Sequence, residues 1–234
     1  MENRSDLRHW ADILMRINTY LASQLGISRR AADRKIREGK VFVDGETAVL
    51  GQTVDIIGSE IIFDETKVGK HARVDTTIIL YKPSLYVTTR SDPQGRPTIM
   101  DLLPTDLQTL KPAGRLDYDS EGLVLLSNNG KLIYENTHPK FGTEKEYDMY
   151  FSRPVTSDLL DAFDSGIQLS EGLAVVDRAQ QKTEYGIQVV IHQGWNRQLR
   201  RMALACDYEV TRLIRTRLGI FTINQLQPKE WVKV

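Results

Sequence analysis

The stretch from Pro112 to Ser127 constrains the fold of this chain more than any other. It ends in an apolar run, Leu123-Val124-Leu125-Leu126, which Asn128-Asn129-Gly130 closes. Such a run predicts a buried β-strand, and the glycine and short polar residues before it predict a turn-rich loop. A carboxylate in that loop, such as Asp117, would lie at the mouth of a sheet on a rigid scaffold. Catalytic groups are commonly found in such places.

Two simpler interpretations of the loop stay open at this point. Alternating carboxylates from Asp117 to Glu121, followed by Gly122, are similar to the start of a calcium-binding EF-hand loop. The twelfth position of that pattern is Asn128 rather than a bidentate glutamate, and a strand is predicted where a helix should follow. Alternatively, Arg115 and Asp117 form a salt bridge that closes a turn. The rest of the chain is needed to choose among these interpretations.

Composition excludes several classes of protein. The chain has 234 residues, of which 41% are hydrophobic, so it can form two modest domains or one large one. Lys and Arg total 31, as do Asp and Glu, so any nucleic-acid-binding surface must be local. The single cysteine, Cys206, excludes an internal disulfide and a cysteine-rich zinc site, and favours a reducing compartment. Without a long apolar run or a signal-peptide pattern, we expect a cytoplasmic protein that does not bind membranes.

The N-terminal part of the chain predicts two helices, of which the second is strongly basic. Apolar residues at helical spacing run from about Ser5 to Leu25. Ser28 is a suitable N-cap for a helix from Arg29 to Glu38, and Gly39 is a suitable C-cap. Between Arg29 and Lys40 six residues are basic and two are acidic. A solvated surface would explain some of these charges, but their density favours contact with phosphate groups.

Short strands are predicted after Lys40. One hairpin signal is the Asp44-Gly45 turn after Val41-Phe42-Val43. A second is Gly58-Ser59, which separates two apolar segments at residues 53–57 and 60–63. These signals predict a small curled sheet next to the basic helix.

This N-terminal unit resembles the S-four (alpha-L) RNA-binding domain. The resemblance is carried by residues 16–22, Gly26-Ile27-Ser28-Arg29-Arg30-Ala31-Ala32-Asp33, Ile36, 39–41 and 43–45. It implies that a helix-turn-helix face recognises structured RNA through Arg16, Arg29, Arg30, Arg34, Lys35, Arg37 and Lys40. We therefore place an RNA-binding domain at residues 1–64, including an extra helix at 2–15, followed by a charged linker at 65–75.

Residues 76–234 predict a mixed α/β domain with two basic clusters. Strand patterns occur at 78–81, 122–126, 143–150, 187–191 and 210–222, and helix patterns follow Asn128 or Asn129 and run from Ser157 to Phe163. A helix capped by Asn196 would carry three cations in its first turn, Arg197, Arg200 and Arg201. Because cations there oppose the helix dipole, they are expected to serve an anion or structural salt bridges. The last strand pattern adds Arg212, Arg215 and Arg217, which together with the helix predict a positive cleft.

Five motifs, in order, resemble the RsuA-like family of pseudouridine synthases. They are Lys82-Pro83 with Val87-Thr88, Gly114-Arg115-Leu116-Asp117 with Asp119-Ser120, Glu121-Gly122-Leu123, Glu144-Lys145-Glu146-Tyr147, and Asn196-Arg197-Gln198-Leu199-Arg200-Arg201-Met202. With the N-terminal unit, the resemblance covers nearly the whole chain. It implies an α+β fold: a small RNA-binding domain, then a catalytic domain with a long mixed, largely antiparallel sheet flanked by helices.

The resemblance also implies a reaction, the isomerisation of uridine to pseudouridine in structured RNA without cofactor or metal. Asp117 is implied as the nucleophile, attacking either C6 of the uracil or the anomeric carbon of the ribose. Tyr147 is implied to stack on the target base, and Arg200 to pair with Asp117 and favour its ionised form. Arg115 and Leu199 are expected to support the active site. Further RNA contacts are expected from Arg197, Arg201 and Arg215.

Two positions depart from the family pattern. Trp195 stands where a basic residue is frequent, so we expect the indole ring to stack on the RNA in place of a contact with phosphate. Asp207 stands where glycine is usual, and we expect it to adopt the left-handed conformation, which aspartate tolerates better than most residues.

The resemblance favours ribosomal RNA of the large subunit as substrate, with transfer RNA and small-subunit ribosomal RNA as alternatives, and we expect a monomer. Two other classes of function stay open. One is a non-catalytic ribosome-binding protein that keeps the cleft as a docking surface. The other is a metal-dependent nuclease, whose activity a chelator would abolish.

Overall fold

The structure, a computed structural model, describes residues 14–56, 58–68 and 75–234. The chain divides into two compact units, residues 1–74 and 75–234. The predicted linker at 65–75 is not irregular throughout, because Thr66–Lys67 forms a strand that pairs with Ile61–Phe63.

The first unit combines two helices with short strands. The helices are α1 (Ile17–Leu25) and α2 (Arg29–Arg37). The strands are β1 (Leu14–Arg16), β2 (Val41–Val43), β3 (Glu46–Thr47), β4 (Thr53–Asp55), β5 (Ile61–Phe63) and β6 (Thr66–Lys67). Strand β1 pairs with β4, and the other four form a sheet in the order β3-β2-β5-β6. Apolar side chains from both helices and from β2, β4 and β5 form one core.

Local sequence signals account for α2 and for the first hairpin. The Ser28 hydroxyl accepts a hydrogen bond from the Ala31 amide at 3.0 Å, and so caps α2 as predicted. Asp44 and Gly45 have φ angles of 50° and 87°, the conformation of a tight hairpin turn between β2 and β3. Both predictions are confirmed. They could be made from the sequence because each feature depends only on residues that are close in the chain.

Two predictions for this unit were wrong. The helical pattern predicted from Ser5 to Leu25 does not hold at Leu14–Arg16, which is extended and pairs with β4, so that α1 begins at Ile17. The rest of the extra helix predicted at residues 2–15 lies outside the described residues. The second predicted hairpin does not form, since β4 pairs with β1 and β5 pairs with β2. The partners of both strands are remote in sequence, and a local turn signal at Gly58-Ser59 cannot reveal them.

The second unit is built on one long sheet. The strands of the unit are β7 (Thr77–Lys82), β8 (Lys111–Pro112), β9 (Glu121–Ser127), β10 (Lys145–Phe151), β11 (Ile167–Leu169), β12 (Gly172–Ala174), β13 (Arg178–Thr183), β14 (Gly186–Ile191), β15 (Val210–Leu218), β16 (Phe221–Thr222) and β17 (Trp231–Lys233). The main order is β13-β14-β10-β15-β9-β7-β17, with β16 beside β15, β8 beside β9, and β11 and β12 forming a separate pair. Among the strands of the described residues, only β15 and β9 pair in parallel; a single parallel bridge also joins Val87 and Thr98. The predicted mixed, largely antiparallel sheet is confirmed.

Helices cover parts of this sheet. They are α3 (Gly130–Thr137), α4 (Ser157–Ser165) and α5 (Gln198–Ala205), with 3-10 helices at Ile99–Leu102, Thr105–Leu107 and Pro139–Phe141. The Asn129 side chain caps α3 by accepting hydrogen bonds from the amides of Lys131 and Leu132. Gly166 follows the end of α4, where glycine is common.

Strand β9 is buried on both faces, which explains its continuous apolar run. Val124 and Leu126 belong to the main core, together with Phe163 of α4 and Met202 of α5. Leu123 and Leu125 point the other way, into a smaller core that the apolar side of α3 covers. Since successive side chains of a strand alternate between faces, a run without polar residues requires cover on both sides.

Gly122 lets β9 and β15 run side by side. It pairs with Arg215, and its φ angle is 101°. A Cβ atom at this position would lie 2.3 Å from the carbonyl oxygen of Arg215 and 2.7 Å from its amide nitrogen. Only glycine fits there, so the loop before β9 and the middle of β15 are brought together at this residue.

Candidate active site

Hydrogen bonds to successive backbone carbonyls fix the turn that carries Asp117. The Thr88 hydroxyl donates to the carbonyl of the preceding residue, Leu116, at 2.8 Å. The amide of Leu85 donates to Tyr118 at 2.7 Å. The backbone carbonyl of Asp117 itself accepts a hydrogen bond from the amide of Ser120 at 3.1 Å. The backbone of the turn is therefore held from several directions.

Lys82 supports the same turn from the interior of the protein. Its side chain is fully buried, and Nζ donates to the carbonyls of Ser120 at 2.6 Å, Pro83 at 3.1 Å and Tyr118 at 3.4 Å. Burial lowers the pKa of Lys82 to about 8, although the negative charges of Asp119, Glu121 and Asp117 oppose that shift. The Lys82-Pro83 motif thus fixes the loop from inside the protein.

Asp117 lines a cavity of about 640 Å³, a size typical of small-molecule sites. Within the described residues, no hydrogen bond or ion pair uses its carboxylate. Hydrogen bonds to Asp119 raise the pKa of Arg197, and burial lowers the pKa of Arg200; the negative charge of Asp117 adds to the first shift and opposes the second. Two cations therefore lie near Asp117 without contacting it. An anchored turn with a carboxylate left free in a cavity is suited to nucleophilic chemistry.

The other side chains predicted for the active site fall into two groups. Those that line the cavity with Asp117 are Arg115, Tyr147, Arg197, Leu199 and Arg215. Arg115 is exposed at the rim, whereas Leu199 is 4% exposed. Arg200 and Arg201 lie outside the set of lining residues, and both have protein partners.

Arg200 pairs with Asp119 rather than with Asp117. Its Nη2 donates to the carbonyl oxygen of Asp119 at 2.8 Å, its Nη1 donates to that of Val210 at 2.9 Å, and its Nε lies 3.4 Å from the Asp119 carboxylate. Arg197 makes a two-pronged contact with the same carboxylate, at 2.8 and 2.9 Å. The hydrogen bonds of Arg197 and the charge of Arg200 hold the pKa of Asp119 below its usual range. The structure thus gives Arg200 a positioning role, because it fastens α5 to the Asp117 turn.

Helix α5 begins later than the sequence predicts. Its N-cap is Arg197, which has a left-handed backbone with φ of 49°, and not Asn196. Arg201, in the first turn, makes two hydrogen bonds to the Glu171 carboxylate at 2.7 and 2.8 Å. That arginine lowers the pKa of Glu171 to about 2. The salt-bridge interpretation of these cations therefore fits Arg201, and its predicted contact with RNA stays a prediction.

Arg215 is the cation most deeply buried in the cavity wall. It is 3% exposed, and Nε donates to the carbonyl of Leu123 at 2.8 Å. Its Nη2 is buried and has no hydrogen-bond partner within the described residues. Tyr147 lies opposite Arg215 in the β10–β15 register and is also buried. The pair offers an aromatic ring and a hydrogen-bond donor that a bound base could use.

Lys145 also lines the cavity, although the sequence reasoning did not select it. Its Nζ donates to the carbonyls of His192 at 2.9 Å, Thr143 at 3.3 Å and Gln193 at 3.4 Å. Burial, and then the charge of Arg215, lower the pKa of Lys145. Its spacing from Tyr147 was the available signal, because residues two apart on a strand share a face.

The predicted RNA-binding cations of the first unit are solvent-exposed in most cases. Arg16, Arg29, Arg30, Arg34, Arg37 and Lys40 are exposed. Lys35 is half-buried and lies 3.2 Å from Glu38 and 3.5 Å from Asp64. Their predicted contact with RNA stays a prediction.

Three other expectations can be compared with the structure. Strand β9 occupies the second half of the EF-hand-like stretch, and the described residues contain no cluster of three or more potential metal ligands. Asp207 has a φ of 60°, the left-handed conformation expected of it. Among the described residues, no helix is long and apolar enough to cross a membrane.

Known protein families match both units. The profile of the RNA pseudouridylate synthase family matches residues 76–205, and that of the S4 domain matches residues 15–61. The chain is 35% identical over 207 residues to the ribosomal large subunit pseudouridine synthase B of Bacillus subtilis, which covers 85% of the chain and 83% of that protein. It is 31% identical over 221 residues to the dual-specificity RNA pseudouridine synthase RluF of Salmonella typhi, covering 94% of the chain and 75% of that protein.

A solved structure is similar as well. A crystal structure described as a pseudouridylate synthase matches with a TM-score of 0.67 and 28% sequence identity. The match covers 94% of this chain and 96% of that one. It therefore extends over both units, and the family resemblance read from the sequence motifs is confirmed.

Proposed function

Because the chain belongs to the RNA pseudouridylate synthase family and carries an S4 domain, we propose that it converts specific uridines of ribosomal RNA to pseudouridine with Asp117 as nucleophile. The observation that carries this proposal is the Asp117 carboxylate, which lines a cavity and has no hydrogen-bond or ion-pair partner among the described residues, while its turn is anchored. The relative from Bacillus subtilis, named for the large ribosomal subunit, supports that class of RNA.

The proposed chemistry is an isomerisation with no net redox change. The bond between N1 of uracil and C1′ of ribose breaks, the base turns, and C5 bonds to C1′. N1 ends with a proton and C5 loses one, so the reaction needs no external oxidant or reductant. The Asp117 carboxylate can add to C6 of the base, or to C1′, and leave again once the new bond has formed.

The other cavity residues fit the binding of a base that has left its helix. Extruding a base from structured RNA costs a few kcal/mol, which stacking and hydrogen bonds in the pocket must offset. The Tyr147 ring supplies a stacking surface, and Arg215 Nη2 supplies a buried donor. Arg197 and Arg200 keep α5 and the Asp117 turn together through Asp119. A monomer suffices for this proposal, because one chain supplies Asp117, Tyr147 and Arg215 to one cavity.

Pseudouridine mapping tests the proposal. Total RNA from cells with and without the gene is treated with carbodiimide, and modified positions are read as stops in primer extension. We expect a stop in ribosomal RNA that disappears on deletion and returns with the wild-type gene but not with Asp117→Asn. Asp106→Asn, which changes an exposed aspartate outside the cavity, is the matched control and should restore the stop.

Each alternative has a distinct result. A lost stop in transfer RNA would change the substrate but keep the chemistry. If no RNA changes on deletion, the non-catalytic ribosome-binding alternative is correct. RNA cleavage that a chelator prevents would indicate the nuclease alternative. If Asp117→Asn restores the stop fully, another group is the nucleophile.

A further inference from the structure

Four side chains at the end of α3 form an exposed cluster, here called the aromatic–lysine cluster: Tyr134, His138, Lys140 and Phe141. The Tyr134 ring centroid lies 4.8 Å from that of His138 and 5.5 Å from that of Phe141. Lys140 Nζ lies 5.0 Å from the Tyr134 centroid and 4.7 Å from the Phe141 centroid. Tyr134 and Phe141 are each 44% exposed. Because exposed apolar clusters on soluble proteins often mark binding sites, the exposure of these aromatic rings suggests a function.

The cluster lies beside the cavity that contains Asp117. His138 and Pro139 line this cavity, as do Asn136 and Thr137 from the last turn of α3. A Cβ atom at Gly114, on the Asp117 loop, would lie 3.6 Å from the Thr137 side chain. The rings therefore border the path of any RNA strand whose base enters the cavity.

The cluster is also held in place by the fold. The Thr143 hydroxyl donates to the carbonyl of Glu135 at 2.9 Å, which ties α3 to the start of β10. The Nδ1 atom of His138 accepts from the amide of Lys140 at 3.2 Å and caps the 3-10 helix that contains Lys140 and Phe141. On the opposite side of α3, Leu132 and Ile133 pack against the core. Tyr134 thus points outwards from an anchored helix.

We propose that the aromatic–lysine cluster is a stacking platform for an unpaired nucleotide next to the target uridine. Aromatic rings bind bases of any sequence because every base has a flat π face, and a neighbouring cation attracts the phosphate. Lys140 supplies this charge locally, on a protein whose net charge is zero. The platform deepens the proposed function and rests on RNA being the substrate. The alternative is that the cluster binds a protein partner. Binding measurements with RNA free of protein distinguish a nucleotide from a protein partner.

The test uses the full chain, with Tyr134→Leu and Phe141→Leu combined. Leucine keeps apolar bulk but removes the π faces, so folding should be preserved. With in-vitro-transcribed large-subunit ribosomal RNA, we expect the Kd and the KM to rise about tenfold or more, since stacking contributes on that order per base. The kcat at saturating RNA should stay within about twofold, because the Asp117 turn is untouched.

Three comparisons sharpen the result. Tyr134→Phe keeps the ring and should bind as the wild type does. Tyr185→Ala removes a ring that is also 44% exposed but lies outside the cavity lining, and should have no effect on Kd. Ultraviolet crosslinking of the wild type to the same RNA should attach nucleotides to the peptide spanning residues 134–141.

An unchanged Kd in the double leucine variant, or crosslinks that map only elsewhere, would overturn the platform. So would a variant that modifies naked RNA normally and fails only on ribosomal particles, since that result indicates a protein partner. Failure of the proposed function is separable: a wild type without turnover would remove the isomerase activity, while binding and crosslinking still test the platform. Asp117→Asn should show the reverse of the leucine variant, with turnover lost and Kd unchanged.

Discussion

Asp117 and Asp119 are two residues apart, yet the fold gives them different surroundings. Asp119 is held by Arg197 and Arg200, which neutralise its charge and join α5 to the turn. Asp117 has no such contact within the described residues and lines the cavity. The arginine motif thus supports the proposed nucleophile indirectly, by holding the turn on which Asp117 lies. The sequence could not show which of the two aspartates forms the ion pairs with the arginines, because both aspartates belong to the same turn.

Lys82 allows a prediction about pH at the residue scale. Its pKa in the folded protein is about 8, below the usual 10.5. Between these pH values the unfolded chain binds more protons than the folded chain, so the free energy of unfolding rises with pH. We expect this contribution to amount to about 1 kcal/mol per pH unit, and to be absent in Lys82→Met. Below pH 8 both states are protonated and the contribution to the slope disappears.

Urea unfolding at pH 7, 8, 9 and 10, followed by the fluorescence of the three tryptophans of the chain, measures this difference. Lys233→Met is the matched control, because Lys233 is exposed on β17 and should keep the wild-type dependence on pH. Equal pH slopes for the wild type and Lys82→Met would show that burial does not shift the pKa of Lys82 as described.

At the scale of elements, the parallel pairing of β9 with β15 depends on Gly122. Gly122→Ala would place a methyl group 2.3 Å from the carbonyl oxygen of Arg215. One of the two strands must then move, and we expect a loss of about 3 kcal/mol or more in the free energy of unfolding. Gly95→Ala is the matched control: its φ is also positive, at 72°, but nothing lies within 4 Å of the new Cβ. It should lose only about 1–2 kcal/mol, the cost of the left-handed backbone.

Chemical denaturation of both variants separates the close contact from the backbone cost. If the two alanines destabilise the protein equally, the approach of the two strands is not what requires glycine at position 122. In the expected case, Gly122→Ala also lowers kcat, because β15 carries Arg215 into the cavity beside the Asp117 loop.

The elements differ in how far the sequence could predict them. Helix α2, the first hairpin of the small unit and β9 follow from caps, turn residues and apolar runs, which act locally. The β1–β4 pairing was missed because its strands are far apart in sequence. The start of α5 was predicted wrongly because Arg197 adopts a left-handed backbone conformation, which arginine rarely does and which the sequence therefore does not predict. Motif order predicted Asp117, Tyr147 and Leu199, which line one cavity, but not the supporting partners that the fold provides.

At the scale of the whole molecule, equal numbers of acidic and basic residues mean that RNA must be bound by local groups of cations. One such group is α2, where Arg29, Arg30 and Arg34 are exposed. If each contacts a phosphate, replacing all three by alanine should lower the slope of log Kd against log salt by about two to three. The KM for ribosomal RNA should rise, whereas kcat at saturating RNA should stay unchanged, because the cavity lies in the other unit.

Fluorescence anisotropy with labelled large-subunit ribosomal RNA, between about 50 and 300 mM salt, measures the slope. The control replaces three other exposed cations, Arg178, Lys229 and Lys233, which line no part of the cavity. Both triple variants lose the same net charge, so a general electrostatic effect would lower both slopes equally. A lower slope in the α2 variant alone would show that the S4 domain contacts phosphates, and an unchanged slope would mean that α2 faces away from the RNA.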